Sequence, residues 1–179
     1  LLDTAVQHHT AGRLPEAEKL YDQVLQVSPT HPVALHLRGV VFLQMGKIDL
    51  AVELISKAIA SKPDYADAHA NLGNALRKQG KMDEAVGSFK NAISVNPDHV
   101  DALSNLGNVL RDLNRYEEAI DSYRRALIIK PDFADGHFNL GNTFKKLEMF
   151  DEAASSYSRS LAIKPENAEI GRASCRERV

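Results

Sequence analysis

Six asparagines run in two files along this chain. Asn71, Asn105 and Asn139 stand 34 residues apart, and Asn74, Asn108 and Asn142 follow each of them by three. A separation of three puts two side chains on one face of a helix. An asparagine carboxamide carries a donor and an acceptor, the pair needed to meet the C=O and N–H of an extended peptide. Such pairing reads the backbone of a bound chain and ignores its side chains, which suits a surface that accepts many sequences. Charges keep the same step: Asp67, Asp101 and Asp135 precede the first file by four residues, and Arg77, Arg111 and Lys145 follow the second by three. The acids can select basic or hydroxyl-bearing peptides, or simply complement the dipole at the start of a helix. The basic residues read first as a solvated rim.

No other residues assemble into a reacting site. His8 and His9 are adjacent, so they splay apart on a helix, unlike metal ligands spaced four apart. His31, His36 and His99 have no carboxylate-and-cysteine setting that suggests zinc. Ser155, Ser156 and Ser158 sit without a partnered base, and the glycines form no phosphate loop. The chain is expected to hold no cofactor and no metal, and not to be an enzyme by itself.

The elements that position the asparagines are set by a repeat. Pro29, Pro63, Pro97, Pro131 and Pro165 are 34 residues apart, as are Ala17, Ala51, Ala85, Ala119 and Ala153. A period of this length marks stacked structural units working through an extended surface. With the periodic proline numbered 32, position 8 is small in every repeat: Ala5, Gly39, Gly73, Gly107, Gly141. Position 24 is large: Tyr21, Ile55, Phe89, Tyr123, Tyr157. Two close-packed helices need this alternation, with glycine where the backbones approach and a bulky side chain in the space beside it. Between Asp67 and Gly80 the small and apolar Ala68, Leu72, Ala75 and Leu76 recur at helical spacing. Gly80 then offers a C-terminal cap, as Gly12 and Gly46 do earlier. A second helix from about Met82 places Ala85, Phe89 and Ala92 on one face and closes at Asn96-Pro97-Asp98. Asn114 and Glu148 replace the capping glycine; Glu148 tolerates a left-handed backbone poorly, so its turn is expected to be strained or differently shaped.

Leu-Gly early, Ala in the middle, an aromatic four residues on and then Pro is a pattern that resembles the tetratricopeptide (TPR) family. The likeness covers residues 1–168. It departs at position 4, where the usual tryptophan is Leu1, Leu35, His69, Leu103 and His137; the two histidines there read as packing residues. The resemblance implies an all-α solenoid, a right-handed superhelix of antiparallel helix pairs. The array is expected over residues 1–169, in units of about 1–31 (partial), 32–65, 66–99, 100–133 and 134–167. The resemblance also implies that positions 2, 5, 6, 9, 12 and 13 of the first helix line a concave groove. It thereby assigns peptide binding to Asn71, Asn74, Asn105, Asn108, Asn139, Asn142, Asp101, Arg77 and Arg111. Asn-Leu-Gly-Asn is also a common consensus in this family, with the asparagines bonding adjacent units. The carboxylate clamp for chaperone C-termini needs basic residues where this chain has Ala70, Asp135 and Asn139, so that partner is not expected.

With 44% apolar and 26% charged residues, the composition is that of a folded chain. No run approaches the roughly 18 apolar residues of a membrane span, so no membrane insertion is expected. Net charge is −2 without a basic stripe, which argues against nucleic acid. Cys175 is the single cysteine, so a cytoplasmic location is expected; the N-terminus is expected to be missing, so targeting is unknown. After Glu169 the repeat pattern stops. Residues 170–179 equal one reading frame of a common sequencing adapter, and we expect them to be non-native; without their three Arg and one Glu the net charge becomes −4. The chain is then a fragment, lacking the capping helix that solenoids need.

Two functions compete, beside a third reading as a purely structural assembly spacer, in which groove substitutions would not affect binding. In the first, the chain is a protein-interaction scaffold that binds an extended peptide or a partner in the concave groove. In the second, it is the N-terminal substrate-presenting arm of a multidomain glycosyltransferase or sulfotransferase. The asparagine file resembles the TPR arm of O-linked N-acetylglucosamine transferases, and His9-Thr-Ala-Gly-Arg13 looks like bacterial-type TPR proteins joined to such domains.

Overall fold

The computed structural model describes residues 1–165, and these form ten α-helices and no strand. Residues 166–179, including the segment expected to be non-native, lie outside the described part. The helices are α1 (Leu2–Thr10), α2 (Leu14–Val27), α3 (Pro32–Gln44), α4 (Ile48–Ser61), α5 (Ala66–Lys78), α6 (Met82–Val95), α7 (Val100–Asp112), α8 (Tyr116–Ile129), α9 (Ala134–Lys146) and α10 (Phe150–Ile163). They fall into two compact units, Leu1–Pro97 and Asp98–Val179.

Each odd-numbered helix packs on the even-numbered helix that follows it. The contact is made at positions 8 and 24, as the alternation of small and large residues requires. A Cβ placed on Gly107 would lie 2.6 Å from Tyr123, and one on Gly73 would lie 2.8 Å from Phe89. Phe89, Tyr123, Tyr21 and Ile55 are fully buried in these seams, together with Ala58, Ala92 and Ala126 one turn on. Burying a side chain of this size contributes about 1.5–3 kcal/mol.

Successive pairs stack within each unit, α2 against α3, α4 against α5, and α8 against α9. The position 4 histidines share in this and do more than pack. His69 and His137 each place Nε2 2.9 Å from the carbonyl oxygen of the preceding periodic proline, Pro63 and Pro131, and tie down the turn between repeats. His31 and His99 cap helices: the Nδ1 of each accepts from the backbone N–H of Ala34 and Ala102, at 3.3 Å.

The turn inside each pair has one form throughout. Its left-handed residue is Gly12, Gly46 or Gly80 in the first three pairs, then Asn114 and Glu148, both at φ 59°. The bond that closes it is the same at Lys81 N–H to Leu76 O (3.0 Å), Arg115 N–H to Leu110 O (2.8 Å) and Met149 N–H to Phe144 O (3.0 Å). Glu148 therefore does not reshape the turn. It adopts a conformation that costs an L-residue about 1–2 kcal/mol.

Candidate functional site

In the N-terminal unit, α5 carries Asp67, Asn71, Asn74 and Arg77. Asn71 Nδ2 lies 2.8 Å from His36 Nε2, and His36 Nδ1 lies 2.9 Å from the Tyr65 hydroxyl. An amide nitrogen donates and cannot accept, so Nε2 is the acceptor and the imidazole proton sits on Nδ1. The Tyr65 ring meets the His36 ring edge-on at 4.7 Å. His36 is only 3% exposed. Burial pushes its pKa down to about 4, helped by His9 and opposed by the Asp67 carboxylate. This imidazole is thus a neutral structural link at position 5. It occupies one N–H of Asn71 and leaves that side chain's oxygen and second N–H outside this bond. Asn74 has Phe89 in the place where later repeats have tyrosine, so no hydroxyl reaches it.

In the C-terminal unit, α7 carries Asp101, Asn105, Asn108 and Arg111, and α9 carries Asp135, Asn139, Asn142 and Lys145. The Tyr123 hydroxyl donates to Asn108 Oδ1 and the Tyr157 hydroxyl to Asn142 Oδ1, both at 2.8 Å. Burial raises the Tyr157 pKa and so favours its donating form. Each bond turns the carboxamide so that its oxygen is used internally and its two N–H groups remain. Asn108 and Asn142 at position 9 thus bond inside their own helix pair, whereas Asn71 at position 6 bonds an adjacent one. Asn105 and Asn139 stand half-buried on the same faces, one turn before.

The charged residues around these faces differ in their commitments. Arg111 meets Asp112 at 3.2 Å, and Asp135 meets Lys164 at 3.7 Å. Asp101 is exposed at the start of α7, and Arg77 is half-buried near the end of α5. His8 and His9 do splay apart, His8 accepting from Arg13 at 3.0 Å and His9 meeting Gln44 at 3.2 Å. Among the described residues, no group of three or more His, Cys, Asp or Glu is placed to hold a metal, and no helix is long and apolar enough to cross a membrane.

The structure adds His36 and Tyr65 to the residues that matter here. Sequence reasoning weighed His36 only as a metal ligand; the available signal was a polar residue amid the apolar Val33-Ala-Leu-His-Leu37 run.

Comparison with known proteins converges on one family. Models described as tetratricopeptide repeat match residues 8–75, 66–99, 88–121 and 134–167, and a TPR repeat model matches 107–148. The chain is 32% identical over 72 residues to a tetratricopeptide repeat and J domain-containing co-chaperone, DNJ1, of Fusarium oxysporum f. sp. lycopersici. That match takes in 40% of this chain and 14% of the relative. Among solved structures, MamA superposes with a TM-score of 0.83 at 24% identity, covering 94% of this chain and 99% of the other. YrrB, titled a TPR protein with an unusual peptide-binding site, gives 0.78 at 21% identity, covering 97% and 89%. These likenesses share the stacked helix pairs described above, the fold of protein-interaction scaffolds. Repeat spacing, packing seams and family matches agree, and the chain belongs to the tetratricopeptide repeat family.

Proposed function

We propose that the asparagine-bearing faces of the odd-numbered helices bind the backbone of an extended peptide. The observation that carries this reading is the fixed orientation of Asn108 and Asn142. Tyr123 and Tyr157 each engage the carboxamide oxygen, so the N–H groups of these half-buried asparagines are the ones left to donate to peptide carbonyls. Donors fixed before binding lose less conformational freedom on association. Asn105 and Asn139, one turn before, add donors and acceptors for the next peptide group. In the N-terminal unit, Asn71 contributes an acceptor and Asn74 a further carboxamide, with Arg77 beside them. YrrB, a protein of the same fold, is titled for a peptide-binding site, which supports this use of the surface.

Hydrogen bonds to a peptide backbone net about 0.5–1.5 kcal/mol each. The asparagines therefore set the register of a ligand, while Asp101 and Arg111 bias its charge. The test is to pan a phage library of random 12-residue peptides on the full chain and synthesise the recovered sequences. Bound peptides should share little side-chain consensus, and the variant N105A/N139A should bind them about tenfold more weakly. Recovery of no binder, or unchanged affinity in this folded variant, overturns the proposal.

A further inference from the structure

We infer that the C-terminal unit carries a second docking surface, for an acidic peptide segment bearing a bulky apolar side chain. A cleft of about 690 Å³ lies between α8, α9 and α10. That is within the roughly 300–1,000 Å³ of clefts that hold ligands. Its floor is Leu140 and Phe144 of α9, flanked by Ile128 of α8 and Ile163 of α10. At about 100° per residue, Leu140 and Phe144 project from the side of α9 opposite Asn139 and Asn142. The cleft is therefore distinct from the asparagine face and goes beyond the function proposed above.

Ile128 is 79% exposed, a large apolar side chain left in water at the lip of an apolar floor. Two cations stand on the rim, Arg124 from α8 and Arg159 from α10. The Arg124 guanidinium lies 5.9 Å from the centre of the Phe144 ring, and neither arginine pairs with a carboxylate among the described residues. Glu152 is the one acid lining the cleft among them. An apolar floor between two uncommitted guanidinium groups is complementary to a carboxylate-rich segment with an aromatic or aliphatic anchor.

The repeat supplies an internal control. In the N-terminal unit the residues in register with Arg124, Arg159, Ile128 and Phe144 are Ser56, Asn91, Ala60 and Leu76. At the equivalent positions of the N-terminal unit neither the two cations nor the large exposed anchor is present.

The random 12-residue library serves here too, panned on the full chain and sorted by the variants that abolish binding. Some clones should keep their affinity for N105A/N139A. Their synthetic peptides should carry Asp or Glu around a Phe, Leu, Ile or Trp, and bind more weakly as salt is raised. In fluorescence anisotropy they should lose about tenfold or more in affinity for R124E/R159E, and a comparable factor for Ile128→Ser. All three residues are exposed, and circular dichroism of each variant checks the fold. Absence of this class, or acidic peptides indifferent to both variants, overturns the inference. So does sedimentation showing that the wild-type chain self-associates and R124E/R159E does not, since a second copy would then be the occupant. Loss of this class alone leaves the asparagine face untouched.

Discussion

The N-terminal and C-terminal units use the same seam between helices, but α3 of the first dresses the neighbouring face differently from α7 and α9 of the second. In the first, α3 presents Leu37 and Val40 where α7 and α9 present asparagines, and its polar residue, His36, is buried and bound to Tyr65 and Asn71. In the second, the asparagines are half-buried, and tyrosines of the following helix engage the oxygens of Asn108 and Asn142. The His36 bonds join α3 to α5 across neighbouring helix pairs, whereas the Asn108 and Asn142 bonds close within their own pairs. A repeat can therefore hold its packing constant while its polar positions bond either between helix pairs or within one.

The shared part should be the harder to disturb. Gly39 and Gly107 sit at position 8 of different units, and a Cβ on either would lie 2.6 Å from Ile55 or Tyr123. Gly39→Leu and Gly107→Leu should each destabilise by about 3 kcal/mol or more, since neither seam can accept a side chain without moving its helices. The gain in helix propensity from replacing glycine, about 1 kcal/mol, offsets only part of this. Urea unfolding of both variants is the check. A neutral result in one of them would mean that the two units do not share a seam.

Acid should separate the units. His36 titrates near 6.5 when unfolded and at about 4 when folded. Below pH 6.5 the unfolded chain takes up a proton that the folded one refuses, so stability falls as pH drops and levels off below about 4. The full loss corresponds to about 3 kcal/mol. It should appear as faster amide exchange in α3 and α5 than in α7 and α9, and His36→Leu should flatten the pH dependence. Equal acceleration in both units would break the comparison.

The frame of this fold was legible because packing constrains single positions at a fixed step. A glycine at 73, 107 and 141 with an aromatic sixteen residues later can be read without knowing any contact. The His36 network was not legible in the same way. It joins the start of one repeat to its end, 29 residues on, and to Asn71 of the next, 35 residues on, and no other repeat has the same trio. The asparagines themselves were plain in the sequence, but not what their oxygens do. The cleft beside Ile128 needs three helices at once, so no single stretch of chain announces it.

The smallest effect is the one closest to the proposed function. Tyr123 and Phe89 occupy the same position, and only Tyr123 reaches an asparagine. Tyr123→Phe keeps the ring in its seam and removes a single hydroxyl, so stability should fall by about 0.5–1.5 kcal/mol, the net value of one hydrogen bond. The freed Asn108 carboxamide can then rotate, and ordering it again weakens binding of peptides recovered on the asparagine face by a few-fold. Adding Tyr157→Phe should repeat the loss at Asn142, and the two should be additive because each pair is closed within its own hairpin. Isothermal titration of Y123F and Y123F/Y157F with those peptides reads both steps. Unchanged affinity with reduced stability would show that these tyrosines serve cohesion alone, which would bring the C-terminal unit closer in design to the N-terminal one.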